Sequence, residues 1–142
     1  MTTTASTPIR SLAEFTDLHR RLKAARAQRA GQPAIRICAG AGCIASGSME
    51  LKGALEAELA RRRIAARIIC TGCLGPCARG PVVVIDPAGT WIENATADRA
   101  AEIVESHLAP GATPPQHAVM AAMAKRQTKV VLRNCGRIDP GD

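Results

Sequence analysis

With 142 residues, the sequence is long enough for one domain with flanking segments, and its hydrophobic fraction of 46% excludes a chain that is disordered throughout. Phe15 and Trp91 are the only aromatic residues, so we expect a core of Ala, Ile, Leu and Val. No apolar run approaches the ~20 residues that span a bilayer, and the polar N-terminus lacks a signal-peptide segment. We therefore expect a cytoplasmic protein without a transmembrane segment, a setting in which cysteines are usually reduced, metal-bound or catalytic.

The formal net charge is +7, and most of the 19 basic residues are Arg. Such a charge attracts nucleic acids in some proteins. Proteins that bind single strands also stack bases on aromatic side chains, however, and this sequence has almost none. We therefore predict that the Arg residues form a solvated helix surface and that nucleic acid is not a partner. A surface for an acidic protein partner remains open.

The first predicted helix begins at a capping box formed by Ser11 and Glu14 and runs to about Ala30. Its apolar residues recur at helical spacing, and its Arg residues occupy the other faces. Gly31 and Pro33 end it. We predict that residues 1–33 form a helical arm ahead of the main domain.

Short apolar runs, Gly-rich loops and one amphipathic segment alternate over the next part of the chain. The predicted elements are a strand over residues 34–38, a loop over 39–48, a helix over 49–62 capped by Ser48, a strand over 67–70, a loop over 71–81, strands over 82–86 and 90–93, and a helix over 96–108. A Pro-rich linker follows over residues 110–116.

This β-α-β…β-β-α order is that of a thioredoxin-like domain of the α/β (α+β) class. The strands of the β-α-β unit should be parallel and the final hairpin antiparallel, which gives a mixed four-stranded sheet with flanking helices. We assign residues 34–110 to this domain.

Two pairs of cysteines lie in the two Gly-rich loops. Cys38 and Cys43 follow the first strand with the spacing Cys-x4-Cys, and Cys73 and Cys77 follow the second strand with the spacing Cys-x3-Cys. Loops that leave the same ends of parallel strands lie side by side. The topology should therefore bring all four thiols to one place.

Four thiolates suit either zinc or an iron–sulfur cluster. No His lies beside either pair, and the spacing differs from that of plant-type ferredoxins, which group three cysteines and leave one distant. A two-plus-two arrangement fits a [2Fe–2S] cluster in which each loop serves one iron. The surrounding glycines would let the backbone approach the cluster and point N–H groups at sulfur, and they are Gly40, Gly42, Gly72, Gly75 and Gly80.

The motifs CAGAGC and TGCLGPCARGPVVVI resemble the thioredoxin-like [2Fe–2S] ferredoxin family, which includes the 24 kDa-type subunit of respiratory complex I. They are closer still to a domain at the N-terminus of complex I-like, NADH-binding flavoprotein subunits of formate dehydrogenases and hydrogenases. The resemblance implies that Cys38, Cys43, Cys73 and Cys77 ligate one [2Fe–2S] cluster. It also implies an electron-transfer module that carries out no catalysis alone.

The segment VVLRNCGRIDP, residues 130–140, resembles the start of the FMN- and NADH-binding domain of those flavoproteins. We therefore interpret residues 111–142 as a linker and the beginning of a truncated flavoprotein-like domain. The expected partners are flavin/NADH-binding and iron–sulfur subunits of an NADH dehydrogenase-like oxidoreductase complex. FMN and NADH would bind only to a missing domain or partner.

Two other functions remain open. The chain could be a structural zinc module that docks a larger subunit, or a thiol–disulfide oxidoreductase, because Cys70 and Cys73 form a Cys-x2-Cys motif. We expect Cys70 to be a small buried core residue instead, alternating with Ile68. We expect Cys135, beyond the linker, to be a free thiol and not a ligand. We expect Trp91 to lie in the core.

Overall fold

The computed structural model describes residues 8–112 together with positions 122, 126–128, 130 and 135. The chain divides into two units, residues 1–31 and residues 32–142. Most of the predicted linker and of the flavoprotein-like segment over residues 130–140 lies outside the described residues. Within the described part of the chain, no helix combines the length and apolar character needed to cross a membrane.

The first unit contains one helix, α1 (Leu12–Arg29). Half of the predicted capping box is present, because the Ser11 hydroxyl accepts a hydrogen bond from the Glu14 backbone N–H. The Glu14 carboxylate accepts its hydrogen bond from the Arg10 N–H, one residue before the N-cap, and not from the Ser11 N–H. None of the residues of α1 is buried. The predicted apolar stripe is therefore open to solvent, with Leu12 80% exposed.

The second unit follows the predicted order of strands and helices. Its elements are β1 (Ala34–Cys38), α2 (Ala41–Ala45), α3 (Ser48–Arg62), β2 (Arg67–Thr71), a 3-10 turn (Cys77–Arg79), β3 (Val83–Asp86), β4 (Thr90–Ile92), a 3-10 turn (Ala97–Arg99) and α4 (Ala100–Leu108). The strands form one mixed sheet in the order β2-β1-β3-β4. β1 pairs with β2 in parallel and with β3 antiparallel, and β3 and β4 form the hairpin. The predicted mixed four-stranded sheet is confirmed.

Two details of the prediction around the first loop are wrong. The loop over residues 39–48 contains the short helix α2, because the Gly40 carbonyl accepts hydrogen bonds from the Cys43 and Ile44 N–H groups. Ser48 lies inside α3 and does not cap it. The cap is Gly47, whose φ of 90° is left-handed and suits a residue without a Cβ.

The main core lies on one face of the sheet, beneath α3 and α4. It consists of aliphatic side chains from both helices and from strands β1, β3 and β4. On α3, Leu51 and Leu55 are 0% exposed and are one helical turn apart, as the predicted apolar stripe requires. A second, smaller cluster lies around the loop cysteines and comprises Cys38, Cys43, Leu74, Val82 and Val84, with Trp91 packed against it.

We expect Leu55→Ala to lower the free energy of unfolding by about 2–5 kcal/mol, because it leaves a cavity in a fully buried site. Leu12→Ala, on the exposed stripe of α1, should change it by less than about 0.5 kcal/mol. Chemical denaturation of both variants measures the difference. Equal effects of the two substitutions would contradict the assignment of the core.

Candidate metal centre

The parallel pairing of β1 and β2 places both cysteine loops at one end of the sheet. Cys38 is the last residue of β1 and is in register with Thr71, the last residue of β2. The two segments remain hydrogen-bonded just beyond this point, since the Ala39 N–H donates to the Thr71 carbonyl at 2.8 Å. The two loops therefore leave the sheet side by side, as the sequence predicts.

The first pair of thiols is buried. Cys38 ends β1 and Cys43 lies in α2, and each is 2% exposed. The Cys38 and Cys43 side chains are hydrogen-bonded to each other. The helical turn that carries Cys43 thus folds back over the end of β1 and closes the first loop around the two sulfurs.

The second pair lies nearer to solvent. Cys73 is in the loop after β2, and Cys77 begins the 3-10 turn (Cys77–Arg79). Their Sγ atoms are 3.7 Å apart. Cys77 is exposed and Cys73 is half-buried, so the centre has a buried end and an exposed end.

Two glycines allow the pairs to approach each other. A Cβ on Gly40 would lie 3.3 Å from the Cys73 Cβ and 3.7 Å from the Cys38 Sγ, so the two loops meet at this residue. A Cβ on Gly80 would lie only 3.0 Å from the Cys43 Sγ. The predicted close wrapping of backbone around the thiols is therefore observed at both positions.

The surroundings of Cys43 and Cys73 disfavour ionisation of their thiols. Burial, followed by the hydrogen bond with Cys38, raises the pKa of Cys43 from 9.0 to about 11, although a hydrogen bond from the Val82 backbone N–H acts in the opposite direction. Burial also raises the pKa of Cys73, against a hydrogen bond from the Gly75 backbone N–H. Reactive nucleophilic cysteines show the opposite shift, a lowered pKa. Both thiols need a bound cation to become thiolates at neutral pH, and that binding releases protons.

Comparison with known proteins identifies the family. The profile of the thioredoxin-like [2Fe–2S] ferredoxins matches residues 13–108, more than half of the chain. The chain belongs to this family. A [2Fe–2S] cluster is therefore its implied cofactor.

Several relatives of this ferredoxin agree with the assignment. A 2Fe-2S ferredoxin from Clostridium pasteurianum is 41% identical over 71 residues, which cover 49% of this chain and 70% of the relative. A putative 2Fe-2S ferredoxin from Priestia megaterium is 33% identical over 78 residues, which cover 54% of this chain and 61% of the relative. The crystal structure of the thioredoxin-like [2Fe-2S] ferredoxin from Aquifex aeolicus superposes with a TM-score of 0.52 at 29% identity, over 58% of this chain and 91% of that chain.

The donor set of this ferredoxin fits a dinuclear cluster. In the described part of the chain, no group of three or more His, Cys, Asp or Glu side chains is placed to hold a metal ion. The four loop sulfurs lie in two pairs, Cys38 with Cys43 and Cys73 with Cys77. A tetrahedral metal with metal–sulfur bonds of about 2.3 Å separates two thiolate sulfurs by about 3.8 Å. The observed separation of 3.7 Å between the Cys73 and Cys77 sulfurs matches that value.

Of the two remaining cysteines, Cys70 differs from its prediction. Cys70 is half-buried and not part of the core. It lies on the edge strand β2, opposite Ile37 and on the sheet face that α3 covers. Its sulfur is close enough to the Lys52 ammonium group of α3 to interact with it electrostatically. Cys73, in contrast, lies beside Cys38, because both approach the same position at Gly40. The Cys70-x2-Cys73 motif therefore spans the end of a strand, whereas the Cys-x2-Cys motif of a thioredoxin begins a helix.

The prediction that Cys135 is a free thiol is confirmed, and its side chain contacts the second cysteine loop. Its thiol donates a hydrogen bond to the Cys73 carbonyl oxygen at 2.9 Å. No feature of the sequence indicates this contact, because 62 residues separate the two cysteines.

Trp91 is half-buried against the cysteine cluster, close to its predicted place. Arg79, on the second loop, pairs with Glu93 at 3.3 Å.

Proposed function

We propose that this ferredoxin relays single electrons to or from an FMN- and NADH-binding partner in an NADH-linked oxidoreductase complex, and that Cys38, Cys43, Cys73 and Cys77 ligate its cluster. The observation that carries the proposal is the convergence of two thiol pairs, one buried and one exposed, at the end of the sheet. A bound [2Fe–2S] cluster supplies a centre that takes up and gives back one electron at a time.

The buried end of the centre would hold the inner iron and shield it from water. Cys38 and Cys43 would hold the inner iron in a site from which Leu74 and Val82, both nearly fully buried, exclude water. The N–H groups of Val82 and Gly75 donate to cysteine sulfurs and would stabilise the negative charge of the cluster. Such donors and the burial of the site are the features by which proteins set the potential of iron–sulfur centres.

The exposed end would be the route by which electrons enter and leave. Cys77 is the exposed ligand, and Ile44, which follows the ligand Cys43 on α2, is 46% exposed. A Cβ on Gly42 would lie 3.8 Å from the Cys77 Cβ, so the helix that carries Ile44 meets the exposed ligand and offers a partner a surface near the cluster. The resemblance of the two cysteine motifs and of residues 130–140 to NADH-binding flavoprotein subunits supports a flavin as the redox partner.

Metal analysis and spectroscopy of anaerobically purified protein test the cofactor. We expect two iron and two sulfide per chain, brown colour, and an EPR signal that appears on reduction, as the family requires. One zinc per chain in a colourless protein without that signal would favour the docking module. Reduction of insulin disulfides that is lost in Cys70→Ser would favour the thiol–disulfide oxidoreductase.

A separate experiment tests the partner. NADH should bleach the visible absorption of the oxidised centre only when the FMN- and NADH-binding subunit of a complex I-like oxidoreductase is also present. The control contains NADH and this ferredoxin alone, which should show no bleaching because a [2Fe–2S] cluster takes up single electrons and NADH gives up a hydride. A loaded centre that stays oxidised with the flavoprotein but is reduced by dithionite would contradict an NADH-linked role and leave the cluster assignment intact.

A further inference from the structure

Cys135 contacts the backbone of the second cysteine loop in two ways. Its Sγ lies 2.9 Å from the carbonyl oxygen of Cys73, with the thiol as donor. A Cβ placed on Gly72 would lie 3.0 Å from the same sulfur, closer than ordinary van der Waals contact. The thiol is therefore packed directly onto the Gly72–Cys73 backbone. It lies beyond residues 13–108, the part of the chain that the family profile matches.

We propose that Cys135 is a positioning residue of the centre, whose thiol holds the Cys73 backbone and thereby the Cys73 ligand. The proposal rests on the proposed function, because it takes Cys73 as a ligand of the cluster. Cys135 itself does not ligate: its sulfur is engaged with a carbonyl oxygen, and the four thiols of the two loops complete the coordination of a [2Fe–2S] cluster.

The position of this contact determines its effect. Cys38 and Cys43 are held by a strand and a helix and are almost completely buried, whereas Cys73 lies in an irregular loop at the exposed end. Loss of the cluster should therefore begin at the exposed end, where water and chelators reach the ligands. A hydrogen bond that fixes the Cys73 peptide slows the loop opening that must come first.

Three substitutions in the full-length chain separate positioning from other roles. Cys135→Ala removes the donor, Cys135→Ser keeps a donor of similar size, and Gly72→Ala pushes the sulfur away while keeping it. The matched control is Cys70→Ala, which removes a half-buried thiol on the other face of the sheet. The measurements are the rate of cluster release to an iron chelator and the g-values of the reduced centre.

We expect Cys135→Ala and Gly72→Ala to release the cluster about fivefold faster, the effect of losing one hydrogen bond, and to shift the g-values in the same way. Cys135→Ser should return both measurements toward those of the wild type, and Cys70→Ala should leave both unchanged. Wild-type behaviour of Cys135→Ala would overturn the proposal. Complete loss of the cluster in Cys135→Ala or Cys135→Ser would overturn it too, because Cys135 would then be a ligand.

A measurement on the cluster-free chain keeps this inference independent of the cofactor. The carbonyl-carbon NMR resonance of Cys73 reports the hydrogen bond directly and should move in Cys135→Ala but not in Cys70→Ala. An unmoved resonance refutes the contact whatever metal the protein binds. A shifted resonance in a chain that binds only zinc would refute the proposed function while supporting the positioning of Cys73.

Discussion

Replacing one buried and one exposed ligand will give different outcomes: Cys43→Ser will abolish cluster binding, and Cys77→Ser will leave an altered cluster. Cys43 is 2% exposed, so water has little access to its position, and the only substitute for the lost thiolate is a buried serine hydroxyl, which ionises far less readily than a thiol. Removal of a residue that merely supports a ligand reduces metal affinity by roughly 10–100-fold, so losing this ligand should cost more than about 100-fold. Iron and sulfide content after anaerobic purification measures the effect.

At the exposed end, the serine hydroxyl or water takes the place of the missing sulfur. Cys77 is open to solvent, so in Cys77→Ser water can complete the coordination of the iron, whereas in Cys43→Ser only the buried serine hydroxyl is available. We expect the Cys77→Ser centre to retain iron but to show a changed visible spectrum and a changed EPR signal. The same reasoning predicts that Cys73→Ser, at a half-buried position, is more strongly impaired than Cys77→Ser.

Cys70→Ser is the matched control for this series, because it removes a thiol three residues from Cys73 without touching the predicted centre. It should retain the wild-type iron content and spectrum. An unaltered spectrum in Cys77→Ser, or loss of iron in Cys70→Ser, would show that the ligand set is assigned wrongly. Loss of iron to the same degree from all four variants, Cys43→Ser, Cys73→Ser, Cys77→Ser and Cys70→Ser, would instead indicate a general failure to fold.

The sequence predicted the sheet well because its strands are short apolar runs between Gly and Pro residues. The predicted strand over residues 34–38 matches β1 at both ends. The convergence of the two loops followed from topology alone, since a β-α-β unit makes its strands parallel. The resemblance to the family then implied which four cysteines ligate the cluster, and that assignment stays a prediction.

Features that depend on tertiary contacts were not predictable in the same way. The helix α2 forms in a segment of small residues that is too short to show a helical periodicity of apolar side chains. Its conformation depends on the backbone hydrogen bonds to the Gly40 carbonyl. The half-buried place of Cys70 reflects the position of β2 at the edge of the sheet, which the strand order decides. The contact of Cys135 with Cys73 joins residues too far apart in sequence for any local pattern to indicate it.

The second large effect concerns stability: the cluster-free chain should unfold at a far lower temperature than the loaded one. The main core under α3 and α4 is aliphatic and independent of the centre. The second cluster, however, is built around the thiols themselves and includes Cys38 and Cys43. Without a metal, the raised pKa of Cys43 keeps this buried thiol protonated, and no metal–sulfur bonds connect the two loops. The bound cluster joins both loops and fixes them to the ends of β1 and β2.

The expected size follows from the linkage between binding and folding. A ligand present at about 1,000 times its dissociation constant stabilises the folded state by about 4 kcal/mol. For a domain of this size, that corresponds to a rise of about 15–30 °C in Tm. Differential scanning calorimetry of loaded and cluster-free protein under anaerobic conditions measures it.

Cys43→Ala provides the control, because it removes a buried ligand and should show the same low Tm before and after attempted cluster reconstitution. Equal Tm values for loaded and cluster-free wild-type protein would mean that the aliphatic core alone sets the stability. The cysteine loops would then already be fully ordered without the metal. Both loops continue directly from the paired strands β1 and β2. The difference in Tm therefore measures how much of the order of these loops depends on the bound cluster and how much the sheet provides alone.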